Sequence, residues 1–77
     1  MSQQNELQGR IEALRRSRAS LEERQSFARK RRKLAIEGSE ADQAREEERA
    51  TKVEIERLDR EIYVLEARLR VGTASAQ

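Results

Sequence analysis

The chain has 77 residues, with 17 Lys and Arg against 15 Asp and Glu, and it contains no His, Cys or Pro. Disulfides, thiol and imidazole chemistry and the usual zinc and haem ligand sets are therefore excluded. A net charge of +2, spread over so many ionised groups, does not by itself call for a polyanionic partner.

With 42% of residues charged and 3% aromatic, the composition is that of long exposed helices. A chain of this length holds at most one small domain, which buries little surface and is marginal without help. The opening MSQQNELQGR lacks the basic and apolar segments of a signal peptide, and no apolar run approaches the ~18–20 residues that span a bilayer. The expectation is a protein not secreted by a signal peptide, cytoplasmic or enclosed in an intracellular or viral particle.

The first element is a helix over about residues 3–37. Leu7, Ile11, Leu14, Arg18, Leu21, Gln25, Ala28, Arg32 and Ala35 recur at alternating spacings of four and three, a coiled-coil seam that weakens toward its carboxyl end. A turn follows at 38–39. Gly38 can adopt the left-handed conformation that closes a helix, and Ser39 with Asp42 has the spacing of a capping box, Asp standing in for the usual Glu or Gln.

The second helix is expected over about 40–71, with a flexible tail at 72–77. Its seam is Ala41, Ala44, Glu48, Thr51, Ile55, Leu58, Ile62, Leu65 and Leu69, and it strengthens toward the carboxyl end. The first register continued past the turn would demand 39, 46, 53 and 60. That offset of two is neither a stammer nor a stutter, so one unbroken coiled coil fits badly.

An antiparallel hairpin fits well, because facing positions then have numbers summing to a constant. Leu7 with Leu69, Ile11 with Leu65, Leu14 with Ile62, Arg18 with Leu58 and Leu21 with Ile55 all sum to 76, as do the pairs nearer the turn. The fold predicted for 1–77 is a single all-α antiparallel two-helix coiled-coil hairpin, completed by oligomerisation or by docking into a larger assembly.

Arg29 to Lys33 are five consecutive cations, and the hairpin sets them beside Glu46, Glu47 and Glu48. Flanking positions predict the attractive pairs Arg31–Glu47, Arg24–Glu54, Arg15–Asp59 and Glu22–Lys52, and the repulsive pairs Arg10–Arg68 and Arg29–Arg45. Residues 1–38 carry ten basic and five acidic side chains and residues 39–77 seven and ten, so a basic helix folds onto an acidic one. Such exposed pairs select register more than they stabilise it.

Polyanion contact is the competing use of the cations, with Arg10, Arg16, Lys30 and Lys33 the side chains placed to track phosphates. No aromatic is interleaved with them for base stacking, and the spacing of a zipper-type basic region is missing.

Successive residues on a helix point about 100° apart, so Glu46 to Glu48 do not converge on a metal ion. No serine has a base beside it. The chain is accordingly expected to be no enzyme, with no cofactor, metal, membrane or small-molecule substrate.

Apolar residues off the seam remain. Ala13, Ser20, Phe27 and Leu34 repeat every seven residues on one flank of the first helix, and Ala50 and Val64 fall on the same flank of the second. The segment Ile62 to Leu65 is apolar all round, beyond what two helices cover. Phe27, Leu34, Tyr63 and Val64 are the candidate partner interface. The function expected is a protein–protein interaction module serving as a structural subunit or adaptor, self-associating or docked into a larger assembly. The alternatives are an electrostatic nucleic-acid-associated protein and a small virion or particle component.

Overall fold

A computed structural model describes residues 3–35 and 38–75, apart from the side chains of 73–75. Two helices, α1 (Gln3–Leu34) and α2 (Ser39–Ser75), run antiparallel and pack along their length as a helical hairpin. The molecule measures 59 × 15 × 12 Å over its Cα atoms. A continuous helix would extend ~1.5 Å per residue, close to twice that length.

Good helix formers and the absence of proline let both segments run unbroken. Their ends are matched to the helix dipole. Glu6 lies in the first turn of α1 and Arg31, Arg32 and Lys33 in its last, while Glu40 and Asp42 open α2.

Every position of the two expected seams is buried or half-buried. The only other described residues that are not exposed are Glu47, Glu54, Glu66, Ala67 and Gly72. At the open end Ile11, Ile62 and Leu65 form the buried cluster, with Leu7, Leu14 and Leu69 packed against it. Toward the turn the seam is made of small side chains, with Ala28, Ala41 and Ala44 all buried. Leu58 is buried where Arg18 crosses, and Leu21 and Ile55 are half-buried.

One polar seam residue, Thr51, is satisfied within its own helix. Thr51 is buried, and its hydroxyl donates to the carbonyls of Glu47 at 2.9 Å and Glu48 at 3.0 Å. A hydroxyl that bonds its own preceding turn can occupy a seam without an orphaned donor.

The turn differs in detail from the expectation. α1 stops at Leu34 rather than 37, although the Ala35 N–H still donates to the Arg31 carbonyl at 2.9 Å; positions 36 and 37 lie outside the described residues. Gly38 has φ 96°, the left-handed conformation anticipated for it. It also takes over the cap, because its carbonyl accepts the first helical bond of α2 from the Asp42 N–H at 3.2 Å. Ser39 is thereby already inside α2, and the Asp42 carboxylate pairs with Arg45 at 3.0 Å. The expected Ser39–Asp42 capping box is displaced by one residue, and glycine is an acceptable cap.

The far end of α2 also differs. The helix was expected to end at 71 and give way to a flexible tail from 72; it continues to Ser75, and residues 76 and 77 lie outside the described part. Gly72 is half-buried, and a Cβ placed there would meet the Gln4 side chain at 3.7 Å. Gln4 and Gly72 again sum to 76. The backbone stays helical there, where glycine alone would favour an end.

Candidate interaction faces

The seam divides the surface of the hairpin into two broad faces. One carries the residues that immediately precede a seam residue on the same side of each helix: Ala13, Ser20, Phe27 and Leu34 on α1, and Ala50, Arg57, Val64 and Val71 on α2. The other carries those that immediately follow a seam residue: Glu12, Ala19, Ser26 and Lys33, then Asp42, Arg49, Glu56, Tyr63 and Arg70. Helical phase puts these sets on opposite sides. Apart from Arg57 the first line is apolar or small, with charged residues such as Arg10, Arg31, Glu61 and Arg68 between it and the seam, and the second line is mainly charged.

Phe27 is 70% exposed, Leu34 81% and Val64 48%, all on the first face, where Val71 joins them. Tyr63, 68% exposed, belongs by helical phase to the charged face, so the four candidate interface residues do not form one patch. Val71 was missed. Its signal was its seven-residue spacing from Val64, hidden by placing the end of the helix at 71.

Shallow grooves mark both faces. At the open end of the first face a groove of about 380 Å³ has Val64 and Leu65 on its floor and Arg10, Arg57, Arg60 and Arg68 around it, with Glu61. Near the turn a smaller one of about 190 Å³ runs along Leu34, Ala35, Arg31 and Glu40. On the charged face a groove of about 470 Å³ is bordered by Arg29, Arg32, Arg45, Arg49 and Lys52 around the single carboxylate of Glu48.

Most of the five-cation run is engaged within the molecule. Arg31 donates to Glu47 at 3.0 Å, as expected. Arg32 donates to Glu48 at 2.8 Å and Arg29 to the same carboxylate at 3.3 Å. The hydrogen bond from Arg32, reinforced by Arg29, holds the Glu48 carboxyl below its ordinary value, against a smaller opposing effect of partial burial. Glu48 lies opposite Ala28 on the seam, where the small neighbour leaves room for two guanidinium groups.

Three expected pairs are exchanged for others. Asp59 and Glu22 both pair with Arg18. Glu54 pairs with Arg57 at 2.6 Å, and Arg57 also reaches Glu61 at 2.9 Å. Arg15 reaches Glu66 instead of Asp59. The Arg18 guanidinium is raised further above its usual range, first by its hydrogen bond to Asp59.

Among the described residues, Arg10, Arg16, Arg24, Lys30, Lys33, Lys52, Arg60, Arg68 and Arg70 make no ion pair. Arg10 and Arg68 border the same groove, the arrangement expected to be repulsive. The four residues proposed for polyanion contact do not converge. Lys30 and Lys33 lie near the turn, Arg10 and Arg16 toward the open end, more than a dozen residues away along α1.

The described residues include no cluster of three or more side chains suited to holding a metal ion. Among them no helix is long and apolar enough to cross a membrane. Comparison with protein-family models, curated proteins and solved structures gave no match.

Proposed function

We propose that this chain is a non-enzymatic helical-hairpin interaction module, a small structural subunit or adaptor that assembles through its apolar face. The observation that supports this reading is the alignment of Phe27, Leu34, Val64 and Val71, all substantially exposed, on one side of a two-helix structure whose other side is charged. Scattered apolar side chains are ordinary on protein surfaces; here the exposed ones fall in two pairs on one side, Phe27 with Leu34 toward the turn and Val64 with Val71 toward the open end, and apolar patches with a polar border are typical of contact sites.

A catalytic reading has less support. Among the described residues, the one carboxyl with a displaced titration, Glu48, is shifted downward. It stays ionised near neutral pH, whereas a general acid or base works best with a value close to the operating pH. A nucleic-acid reading is weakened by Glu47 and Glu48, which already occupy Arg29, Arg31 and Arg32.

The test is to measure the mass and binding behaviour of the wild type, Phe27→Ala and Val64→Glu, with Glu23→Lys as a surface control. The two face variants are expected to lose association while keeping their helical circular dichroism, and the control to lose neither. Unchanged association in both face variants would defeat the reading.

A further inference from the structure

Resting on that reading, we infer that the open end of the apolar face takes an acidic amphipathic helix of another protein, which lays apolar side chains on Val64 and Val71 and carboxylates against Arg10, Arg60 and Arg68.

Val64 and Val71 are 48% and 65% exposed. Seven residues of helix rise ~10 Å, so the two valines form a short apolar line along α2. Leu65, buried in the seam, closes the floor of the groove beside Val64. Two helices side by side leave a furrow, and a furrow with an apolar floor seats an amphipathic helix whose own anchors recur at i, i+3 or i+4 and i+7. The valines have the matching spacing. From Arg57 to Val71 this end of the face is ~21 Å long, room for about four turns of a partner helix.

Charge identifies the rest of the partner's chemistry. Four guanidinium groups border the groove against one carboxylate, Glu61. Arg57 already holds it at 2.9 Å, together with Glu54 at 2.6 Å. Arg10, Arg60 and Arg68 make no ion pair among the described residues. Glu6 lines an adjoining groove with Arg10 and Arg68 and is paired with neither, so even with Glu6 counted this end keeps a surplus of cations. On the charged face, by contrast, the arginines of the larger groove are all engaged, Arg29 and Arg32 by Glu48, Arg45 by Asp42 and Arg49 by Glu46, and no apolar side chain lines it. Unused arginines and an apolar floor coincide at the open end. Carboxylates are the anions a helix can supply there, and guanidinium groups bind them through directional, charge-assisted hydrogen bonds.

Three other occupants fit less well. A second copy would bring the same unpaired arginines on its own apolar face. A nucleic-acid backbone supplies anions and nothing to cover the valines. Glu47, Glu54 and Glu61 stand at seven-residue intervals in line with Arg68, where an anionic membrane surface would repel them.

Exposed ion pairs add little affinity and act mainly on selectivity, so the valines should supply the binding and the arginines the choice of partner. The probe is a labelled peptide of ~21 residues, longer than the ~12–15 below which isolated helices are marginal, with Leu at seam spacing and Glu flanking it. One counterpart carries Lys for every Glu, and another Ser for every Leu. Fluorescence anisotropy with the full chain is expected to give a dissociation constant below ~100 μM for the acidic peptide, and binding at least about 10-fold weaker for both counterparts. Arg68→Glu should weaken the acidic peptide at least about 5-fold, and Val64→Glu at least about 10-fold. Arg70→Glu makes the same charge change on the charged face and should leave binding unchanged. Neither Arg68 nor Arg70 has an ion pair among the described residues to lose, so both variants should keep the helical circular dichroism of the wild type.

Equal binding of the Glu and Lys peptides, or equal loss with Arg68→Glu and Arg70→Glu, overturns the acidic partner; if Val64→Glu still abolishes binding, the interaction-module reading survives. A chain that binds none of the peptides but self-associates, and loses that association with Val64→Glu, has a second copy as its occupant, which overturns the inference and keeps the reading. Binding to phosphatidylserine vesicles in place of the peptides, lost with Arg68→Glu, makes the occupant a membrane and overturns the inference. If the chain stays a monomer and binds neither peptide nor vesicle, the inference and the reading both fail.

Discussion

The Arg32 guanidinium donates through Nε to Glu48 Oε2 at 2.8 Å, joining the basic end of α1 to the acidic start of α2. Arg29 approaches the other carboxylate oxygen at 3.3 Å. Part of the cation run is thereby tied to α2, and the contribution of the Glu48 pairs depends on that carboxylate remaining ionised.

A pH dependence follows, with a definite sign. The Glu48 value is lowered in the folded state, chiefly by the Arg32 hydrogen bond, from an ordinary value of 4.5. A depressed carboxyl stabilises the fold above the unfolded value, and that contribution is lost as pH falls through the folded value. Thermal unfolding followed from pH 7 to pH 3 should show the midpoint falling below about pH 4.5. Glu48→Gln should lower the midpoint at pH 7 and make that fall shallower. An identical pH profile in the variant would remove Glu48 from the account.

At the turn, Gly38→Ala should destabilise the hairpin by about 1–2 kcal/mol, because a side chain at positive φ is strained. No atom lies within 4 Å of the position a Cβ would occupy, so this cost is conformational and not a clash. Ser39→Ala should change stability by less than ~0.5 kcal/mol, since the helix cap falls on Gly38. Denaturant titration of the two variants separates these roles; equal losses would return the cap to Ser39.

Close approach of the helices near the turn depends on small residues. Ala44 is completely buried, and Ala44→Leu should cost about 1–3 kcal/mol through overpacking. At the open end Ile62→Ala should cost about 2–4 kcal/mol, by loss of buried apolar surface next to Ile11 and Leu65. A stabilised Ala44→Leu variant would mean that the two helices stand further apart there.

Lys30 and Lys33 make no ion pair among the described residues. Replacing both by Gln should change folding by less than ~0.5 kcal/mol. Nucleic-acid binding by the wild type should be weak and disappear near physiological salt, as expected of a few dispersed phosphate contacts. Nanomolar binding at that salt, abolished in the double variant, would favour the nucleic-acid reading over the interaction module.

Much of the hairpin was legible in the residues themselves. Spacing placed Ile11, Leu14, Leu58, Ile62 and Leu65 on seams, and the constant sum of 76 paired them, because a helix repeats close enough to every 3.5 residues to keep one stripe in contact. The matched gradient from bulky to small side chains determined that the two seams face each other in reverse, and Gly38 marked where the chain reverses. The exposed stripe through Phe27 and Leu34 followed from the same periodicity.

Other features were settled only by the packed pair of helices. Arginine side chains are long and flexible, so which carboxylate each takes depends on the space beside it. Arg29 and Arg32 share Glu48 across from small Ala28, and Arg57 turns back along its own helix to Glu54 and Glu61 instead of leaving Glu54 to Arg24. Helix α2 continues through Gly72 to Ser75, past the point where local propensity would end it. Tyr63 and Val64 are neighbours in sequence, yet about 100° of helical rotation puts them on different faces once α1 fixes which side of α2 is the seam. Periodicity is a property of one chain segment and can be read from it. The partner of a long charged side chain is a property of the space between two segments, and exists only when both are in place.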